Sequence, residues 1–321
     1  MIRHIAFRIV AGLVAISIAS SASAQTPVGP EWWPSQWGPD DERGAANLIT
    51  PASVLQAAAL IRRGEIYELG RNYETGMPLY GERHFSLTIP GLPTASAGSE
   101  NGVVFNDELV SGEIGQIGTQ FDGLGHIGTE IDGEHVFYNG LKLSEFGTSY
   151  GLDKLGVENV GTIFTRGVLV DVPRLKGVER LDPEYIITIE DIEGALDMAG
   201  VEIREGDAVL FHTGWGQLWM VDNETYGATE PGPGITAIRW LAEKNILMTG
   251  ADNFAMEAVP GEDPNRPIEG HQWLLQRGIY NIENLDLSRL AEDRVYEFAF
   301  IFAPMKLVGA TGSPGSPIAV R

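Results

Sequence analysis

Short apolar runs and amphipathic segments alternate along the chain. Val168–Asp171 and Ala208–Phe211 are mostly apolar runs, a pattern typical of strands buried on both faces. Ile189–Ala199 and Ile235–Lys244 carry apolar residues three or four positions apart, which predicts helices with one buried face. The same criteria predict helices at 53–63 and 268–277, and strands at 66–69, 246–248, 280–285 and 296–302.

Cap residues mark the ends of some of these elements. Thr50 followed by Pro51 is a typical helix start, and Gly278 follows the last predicted helix. Strands and helices are interspersed, and no shift in composition divides the chain. The pattern therefore predicts a single α/β domain at 25–321.

The first 24 residues have the pattern of a secretory signal peptide. Arg3 and Arg8 precede an apolar stretch at 9–18, and Ala22-Ser23-Ala24 is a small-x-small cleavage site. The apolar stretch is too short to cross a bilayer comfortably. We therefore predict an exported protein, periplasmic or secreted, whose mature chain begins near Gln25. An uncleaved N-terminal anchor is the alternative.

The composition narrows the classes of partner and chemistry. The chain has 44 acidic residues, 22 Lys or Arg residues, a formal net charge of −22 and no cysteine. Such a charge repels phosphate backbones and anionic lipids, so we expect no nucleic-acid partner and no membrane binding after signal cleavage. Without cysteine there is no disulfide, thiolate metal ligand or cysteine nucleophile. The expected partner is a small-molecule substrate.

The densest group of polar residues lies at 115–126. Gln116, Gln120, Asp122 and His126 all occupy even positions. On an extended segment that alternation points them to one face, where Asp122 and His126 can converge on a metal or a substrate. A glycine-rich surface loop with solvated polar residues is the alternative interpretation.

This segment resembles the signature of the cyclase family, which includes bacterial kynurenine formamidase and isatin hydrolase. The family pattern is His-x-Gly-Thr-His-x-Asp-x-Pro-x-His. This chain matches it at Gly118, Thr119, Asp122 and His126, and it departs at Gln116, Gln120 and Leu124. Further similarity to the family lies, in the family's order, at 37–48, 211–215, 249–252, 271–285 and 304–314.

The resemblance implies a fold, a site and an assembly. The fold would be a single-domain swivelling β/α fold with a mixed, barrel-like sheet flanked by helices. The metal ligands would be Gln116, Gln120, Asp122, His271 and Glu283. The catalytic acid/base would be His126, acting with Asp122. Family members also associate, so we expect a homo-oligomer, a dimer or a tetramer.

The two glutamines change the expected metal. An amide oxygen replaces an imidazole nitrogen at Gln116 and at Gln120, and nitrogen donors are those that suit zinc. The remaining oxygen-rich set suits manganese better. We therefore expect one divalent ion, Mn²⁺ in preference to Zn²⁺, and a site without metal is the alternative.

Other aromatic and histidine residues could line a substrate pocket. The candidates are Phe85, Phe121, His212 and Trp215, although such residues more often belong to the core. The first functional hypothesis is a hydrolase of a small amide, lactone or cyclic carbonyl compound, with metal-activated water and His126 as general acid/base. The alternatives are a non-catalytic periplasmic binding protein, and a lyase or dehydratase that uses Asp122 and His126.

Overall fold

The structure is a computed structural model and describes residues 25–321, so the predicted signal peptide at 1–24 lies outside the described residues. The strands are β1 (Gln25–Thr26), β2 (Gly29–Pro30), β3 (Ile66–Glu68), β4 (Phe85–Thr88), β5 (Ala95–Ser96), β6 (Val104–Phe105), β7 (Leu109–Gly112), β8 (Gln120–Asp122), β9 (Thr129–Ile131), β10 (Glu134–Val136), β11 (Gly147–Thr148), β12 (Gly151–Leu152), β13 (Ile163–Asp171), β14 (Ile186–Ile187), β15 (Ala208–His212), β16 (Gly232–Pro233), β17 (Met248–Ala251), β18 (Tyr280–Glu283), β19 (Glu297–Phe302), β20 (Gly312–Pro314) and β21 (Ile318–Val320). The α-helices are α1 (Pro51–Ala58), α2 (Leu143–Phe146), α3 (Val172–Lys176), α4 (Ile189–Ala199), α5 (Asn223–Ala228), α6 (Ile235–Glu243), α7 (Glu269–Gln276) and α8 (Ser288–Glu292). Among these described helices, none has the length and apolar character needed to cross a membrane.

Nine strands form one mixed sheet in the order β20-β8-β18-β17-β15-β13-β19-β21-β3. The central strands β18, β17, β15 and β13 are parallel. Antiparallel pairings attach β8 and β20 on one side and β19, β21 and β3 on the other. The sheet is strongly curled into a half-barrel with helices packed on it. This confirms the predicted α/β class with a mixed, barrel-like sheet.

Alternate residues of the central strands fill two different cores. Val168 and Val170 of β13 pack in a core with Ile192 of α4 and Ile238 of α6. Leu169, between the two valines, packs in the core on the opposite face of the sheet. Burial on both faces explains why these strands are continuous apolar runs in the sequence.

The predicted elements are present, with shifts at their ends. Helix α4 has the predicted bounds, and its N-cap Thr188 forms a capping box with Asp191. Helix α1 begins as predicted after Thr50, but it ends at Ala58 because tighter turns replace its last predicted turn. Strand β17 begins later than predicted, at Met248.

The pairing of β8 with β18 joins two stretches that are distant in sequence. Their antiparallel register sets Asp122 opposite Asn281 and Gln120 opposite Glu283. Phe121 and Ile282, at the intervening positions, both pack in the core. The polar residues of both strands therefore share the face away from that core.

Two glycines bring the N-terminal segment against the turn that connects α7 to β18. Gly44 has a φ of 49° and Gly278 a φ of 80°. A Cβ atom at residue 44 would lie 2.5 Å from the carbonyl oxygen of Gly278. The backbone N–H of Ala45 donates a hydrogen bond to that same oxygen at 2.8 Å. The close backbone approach therefore requires glycine at both positions.

We predict that Gly44→Ala lowers the free energy of unfolding by about 3 kcal/mol, the sum of the left-handed backbone cost and overpacking. Gly64→Ala is the matched control, because Gly64 also has a positive φ, 69°, but no atom lies within 4 Å of its Cβ position. The control should cost only about 1 kcal/mol. Urea denaturation of both variants measures the difference, and equal losses would contradict the packing argument.

Candidate metal centre and its cavity

The β8–β18 pair places four polar side chains beside helix α7. His271 of α7 has its Nε2 atom 2.7 Å from Oε1 of Glu283 and 3.5 Å from Oδ2 of Asp122. One ligand atom from each of these three residues lies within 4.8 Å of the others. All three side chains are buried. These three of the five predicted metal ligands form a triad that could hold a metal ion, and the other two, Gln116 and Gln120, donate hydrogen bonds to its carboxylates.

Turns, rather than an extended strand, bring Gln116 and His126 to the same place. The backbone N–H of Gln116 donates to the carbonyl of Glu113 at 2.7 Å, and that of His126 donates to the carbonyl of Gly123 at 3.0 Å. His126 Nε2 then lies 3.9 Å from Oδ1 of Asp122. The prediction that one extended face carries all four residues of 116–126 is wrong, since β8 spans only Gln120–Asp122.

The amide groups of both glutamines have a defined orientation. Nε2 of Gln116 donates to Asp122 at 3.2 Å, and Nε2 of Gln120 donates to Glu283 at 2.5 Å. Oε1 of Gln116 and Oε1 of Gln120 are buried without a hydrogen-bond partner among the described residues. An unpaired buried oxygen is costly, and a cation can supply the missing interaction.

Glu257, which was not among the predicted site residues, orients His271. Its Oε1 lies 2.6 Å from Nδ1 of His271 and accepts the backbone N–H of the same residue at 2.8 Å. Its Oε2 accepts the N–H of Gly270 at 2.8 Å. A carboxylate on the outer nitrogen of a histidine fixes the tautomer that leaves the other nitrogen available to a metal. No spacing pattern in the sequence singles out Glu257. Only the conformation of its loop brings this carboxylate to His271.

Asn281 is a second residue of the centre that was not among the predicted site residues. Its Nδ2 atom lies 2.7 Å from Oε1 of Glu283, 3.4 Å from Oδ2 of Asp122 and 3.1 Å from Nε2 of His271. It is fully buried. The β18 alternation Asn281-Ile282-Glu283 is a signal that could have placed it on the same face as Glu283.

The ionisable groups shift one another's pKa values. Burial opposes ionisation of Asp122, but His126 and His271 outweigh it and lower its pKa to about 2. Burial and the charge of Asp122 raise the pKa of Glu283 to about 7. Burial disfavours the charged form of His271, yet its contacts with Asp122, Glu257 and Glu283 raise its pKa well above the usual value. The cluster therefore favours positive charge at its centre.

The residues fit a divalent cation. Asp122, Glu257 and Glu283 are three buried carboxyl groups around one imidazole, which leaves an excess of negative charge. Buried charge of one sign requires a counter-charge. The two unpaired amide oxygens add neutral, hard donors beside it.

A cavity of about 300 Å³ opens onto this cluster. Its lining includes the polar groups of the centre and His126. The side of the cavity is mostly apolar, and it includes Tyr80, Ile127, Phe254, Val259, Pro260 and Ile268. A few converging polar groups within an apolar wall are typical of a small-molecule site. Burial lowers the pKa of His126 in this setting, which favours its neutral form.

The four predicted pocket residues lie elsewhere. Phe121 packs in the core and stacks on Tyr280, because strand alternation turns it away from its neighbours on β8. Phe85 and Trp215 belong to a separate apolar cluster. His212 has Nδ1 2.8 Å from Asp171 and lines a different, open groove. The position of these residues along the chain was not a guide to the cavity wall.

Residues 147–151, Gly-Thr-Ser-Tyr-Gly, have the spacing of a serine-hydrolase nucleophile elbow. In the structure they form the tight turn between β11 and β12, with Gly147 paired to Leu152 and Thr148 to Gly151. An elbow requires a strand followed by a helix. The structure therefore gives Ser149 no nucleophile role.

Comparison with known proteins identifies relatives. The family described as "Putative cyclase" matches residues 67–258. Isatin hydrolase of Roseibium aggregatum is 25% identical over 195 residues, covering 59% of this chain and 69% of the relative. Kynurenine formamidase of Bacillus cereus is 34% identical over 77 residues, covering 23% of this chain and 32% of the relative.

Solved structures agree with these matches. The crystal structure of a novel cyclase has a TM-score of 0.78 and 34% sequence identity, and the match covers 90% of this chain and 99% of that one. Isatin hydrolase A from Labrenzia aggregata, bound to benzyl benzoate, has a TM-score of 0.59 at 23% identity and shares the fold, with 82% and 94% covered. By sequence and by structure, this chain belongs to the putative cyclase family.

Proposed function

We propose that this protein is a metal-dependent hydrolase of a small amide, lactone or other cyclic carbonyl compound. The observation that supports it best is the juxtaposition of the Asp122–His271–Glu283 triad with His126 in the lining of a largely apolar cavity. Relatives named isatin hydrolase and kynurenine formamidase act on a cyclic amide and a formamide. The triad, His126 and the apolar cavity of this chain suit the hydrolysis of such a carbonyl compound.

Asp122, His271 and Glu283 would hold the ion, with Gln116 and Gln120 offering their unpaired oxygens as further donors. This oxygen-rich set favours Mn²⁺ over Zn²⁺. When bound, such an ion polarises a substrate carbonyl and lowers the pKa of bound water.

The side chains around the centre have separate tasks. Glu257 holds His271 through Nδ1, so that Nε2 faces the carboxylates. His126, neutral and directed to the cavity, accepts a proton from the attacking water and returns it to the leaving nitrogen or oxygen. The water oxygen joins the carbonyl carbon as the C–N or C–O bond breaks. The apolar wall excludes competing water.

A binding protein is the second candidate, and one observation favours it. The amide nitrogens of Gln116, Gln120 and Asn281 all donate to the buried carboxylates. These hydrogen bonds stabilise the negative charge without a metal. In that case the cavity would bind its ligand and release it unchanged.

We predict one Mn²⁺ per chain in the protein as purified, measured by elemental analysis, and stoichiometric Mn²⁺ binding in calorimetric titration. Asp122→Asn and Glu283→Gln should abolish binding, because each removes a charged ligand of the triad. Asp263→Asn is the control, since Asp263 lines the cavity as an exposed carboxylate outside the triad.

Restoring both histidines provides the converse arm of the same titration. The double variant Gln116→His, Gln120→His should reverse the preference in favour of zinc. Wild-type protein that binds neither metal at millimolar concentration, and turns over neither formanilide nor a lactone, would refute the hydrolase and support the binding protein.

We predict that Glu257→Gln weakens metal affinity by about 10- to 100-fold, because it removes the charge that orients His271. Glu262→Gln is the matched control, because Glu262 lies on the same loop but accepts the N–H of Ile235 at 2.7 Å. Titration with Mn²⁺ compares the two. If both variants bind alike, Glu257 does not position the ligand.

We predict that His126→Gln lowers kcat by about 10²- to 10⁴-fold, the usual contribution of a general acid/base. Metal content and thermal stability should stay near the wild-type values, since His126 is not part of the triad. His135→Gln is the control, because His135 is exposed on β10. Retained turnover in the His126 variant would remove the residue from the mechanism.

A further inference from the structure

Arg83 is the only Lys or Arg among the described residues that line the cavity. The other charged groups at the cavity are the carboxyls of Asp122, Glu283 and Asp263, together with the two histidines of the centre. An anionic ligand would be repelled by these carboxyls unless a cation met it. Arg83 is therefore the one guanidinium among these lining residues that can meet the anion, in addition to a metal ion held at the centre.

The Tyr80 ring contacts the guanidinium group of Arg83. Its guanidinium carbon lies 5.8 Å from the centre of the Tyr80 ring, and Tyr80 stacks on Phe254 with 4.6 Å between ring centres. Stacking restrains the guanidinium through its face and leaves its N–H edge free. Arg83 is half-buried, so it is not a fully solvated surface charge.

The donors of Arg83 have no protein acceptor within residues 25–321. Its side chain forms neither a hydrogen bond nor an ion pair there, and its one aromatic contact is with Tyr80. The chain has twice as many acidic residues as Lys and Arg residues, so acidic partners are abundant. A guanidinium presents five N–H donors in a fork that matches a carboxylate.

Arg83 also lies close to the metal centre. It lines a second, smaller recess together with Gln116, Gln120 and Phe254, all of which also line the main cavity. Arg83 thus shares both cavities with Phe254 and with the two glutamines of the centre. An aromatic substrate that packed on Tyr80 and Phe254 would place a substituent of its ring near Arg83. The carbonyl group to be hydrolysed would then face the centre.

We propose that Arg83 determines specificity by binding a carboxylate on the substrate. The substrate class is an aromatic amide, or a lactone fused to an aromatic ring, that bears a carboxylate next to the hydrolysed group. This inference rests on the proposed hydrolase function and specifies its substrate. The carboxylate is a recognition group and takes no part in the bonds that form and break.

The test compares two formamides that differ by one carboxylate. Formanilide is the neutral probe and 2-formamidobenzoate is the carboxylated one. Wild-type protein loaded with Mn²⁺ should have the higher kcat/KM for 2-formamidobenzoate. Arg83→Gln should lower that value by about 10- to 100-fold, the range for a charge-assisted hydrogen bond. It should change the value for formanilide by less than about fivefold, the small effect expected because the charge of Arg83 contributes to lowering the pKa of His126. Arg83→Lys should recover part of the loss.

Arg180→Gln is the matched control, because Arg180 also stacks on an aromatic ring, 5.6 Å from the centre of Trp215, but lies outside the cavity. It should leave kcat/KM for both probes unchanged. Equal losses for both probes in Arg83→Gln would overturn the proposal, since Arg83 would then support the fold or the reaction itself. A wild-type preference for formanilide would also overturn it.

Binding separates this inference from the proposed function. Calorimetry with benzoate and benzamide needs no turnover. Benzoate should bind at least tenfold more weakly to Arg83→Gln than to wild type, with benzamide unaffected. If benzoate affinity does not change, Arg83 recognises no carboxylate, whether or not the protein hydrolyses amides. If it falls while neither formamide is hydrolysed, the recognition stands and the hydrolase proposal fails.

Discussion

The structure depends on one buried electrostatic arrangement, in which the imidazole of His271 is surrounded by the carboxyl groups of Asp122, Glu257 and Glu283. Like charges removed from water destabilise a fold unless they share a counter-charge. The raised pKa values of His271 and Glu283 are the response of this cluster to that constraint. Its stability and its capacity for a cation have the same origin.

Hydrogen bonds to buried glutamates join the wall of the cavity to this cluster. The loop after β17 forms much of the cavity wall, and two buried glutamates hold it. Glu230 accepts the backbone N–H groups of Phe254 and Ala255, while Glu257 accepts those of Gly270 and His271. The apolar wall and the polar centre are thus fixed to each other by side chains that are not part of the cavity lining.

The glutamines at 116 and 120 alter the chemistry without altering the architecture. Each amide lies at the centre and donates a hydrogen bond from its nitrogen to one carboxylate. The nitrogen through which an imidazole binds a metal carries no hydrogen and could not donate in this way. Their unpaired oxygens leave the site receptive to a hard cation. Under the proposed function, the exchange would move the site away from zinc, and the amide hydrogen bonds would still hold β8 against β18.

By itself the sequence determined the α/β class, the core strands and helix α4, because hydrophobic period and capping are local properties. Motif similarity also pointed to the residues of the metal centre. Only the tertiary structure decided which further side chains reach the candidate centre and its cavity. Phe121 lies beside two site residues in the chain yet packs in the core, whereas Glu257, Asn281 and Arg83 reach the site from separate segments. Strand register and loop conformation set those contacts, and neither is encoded in local pattern.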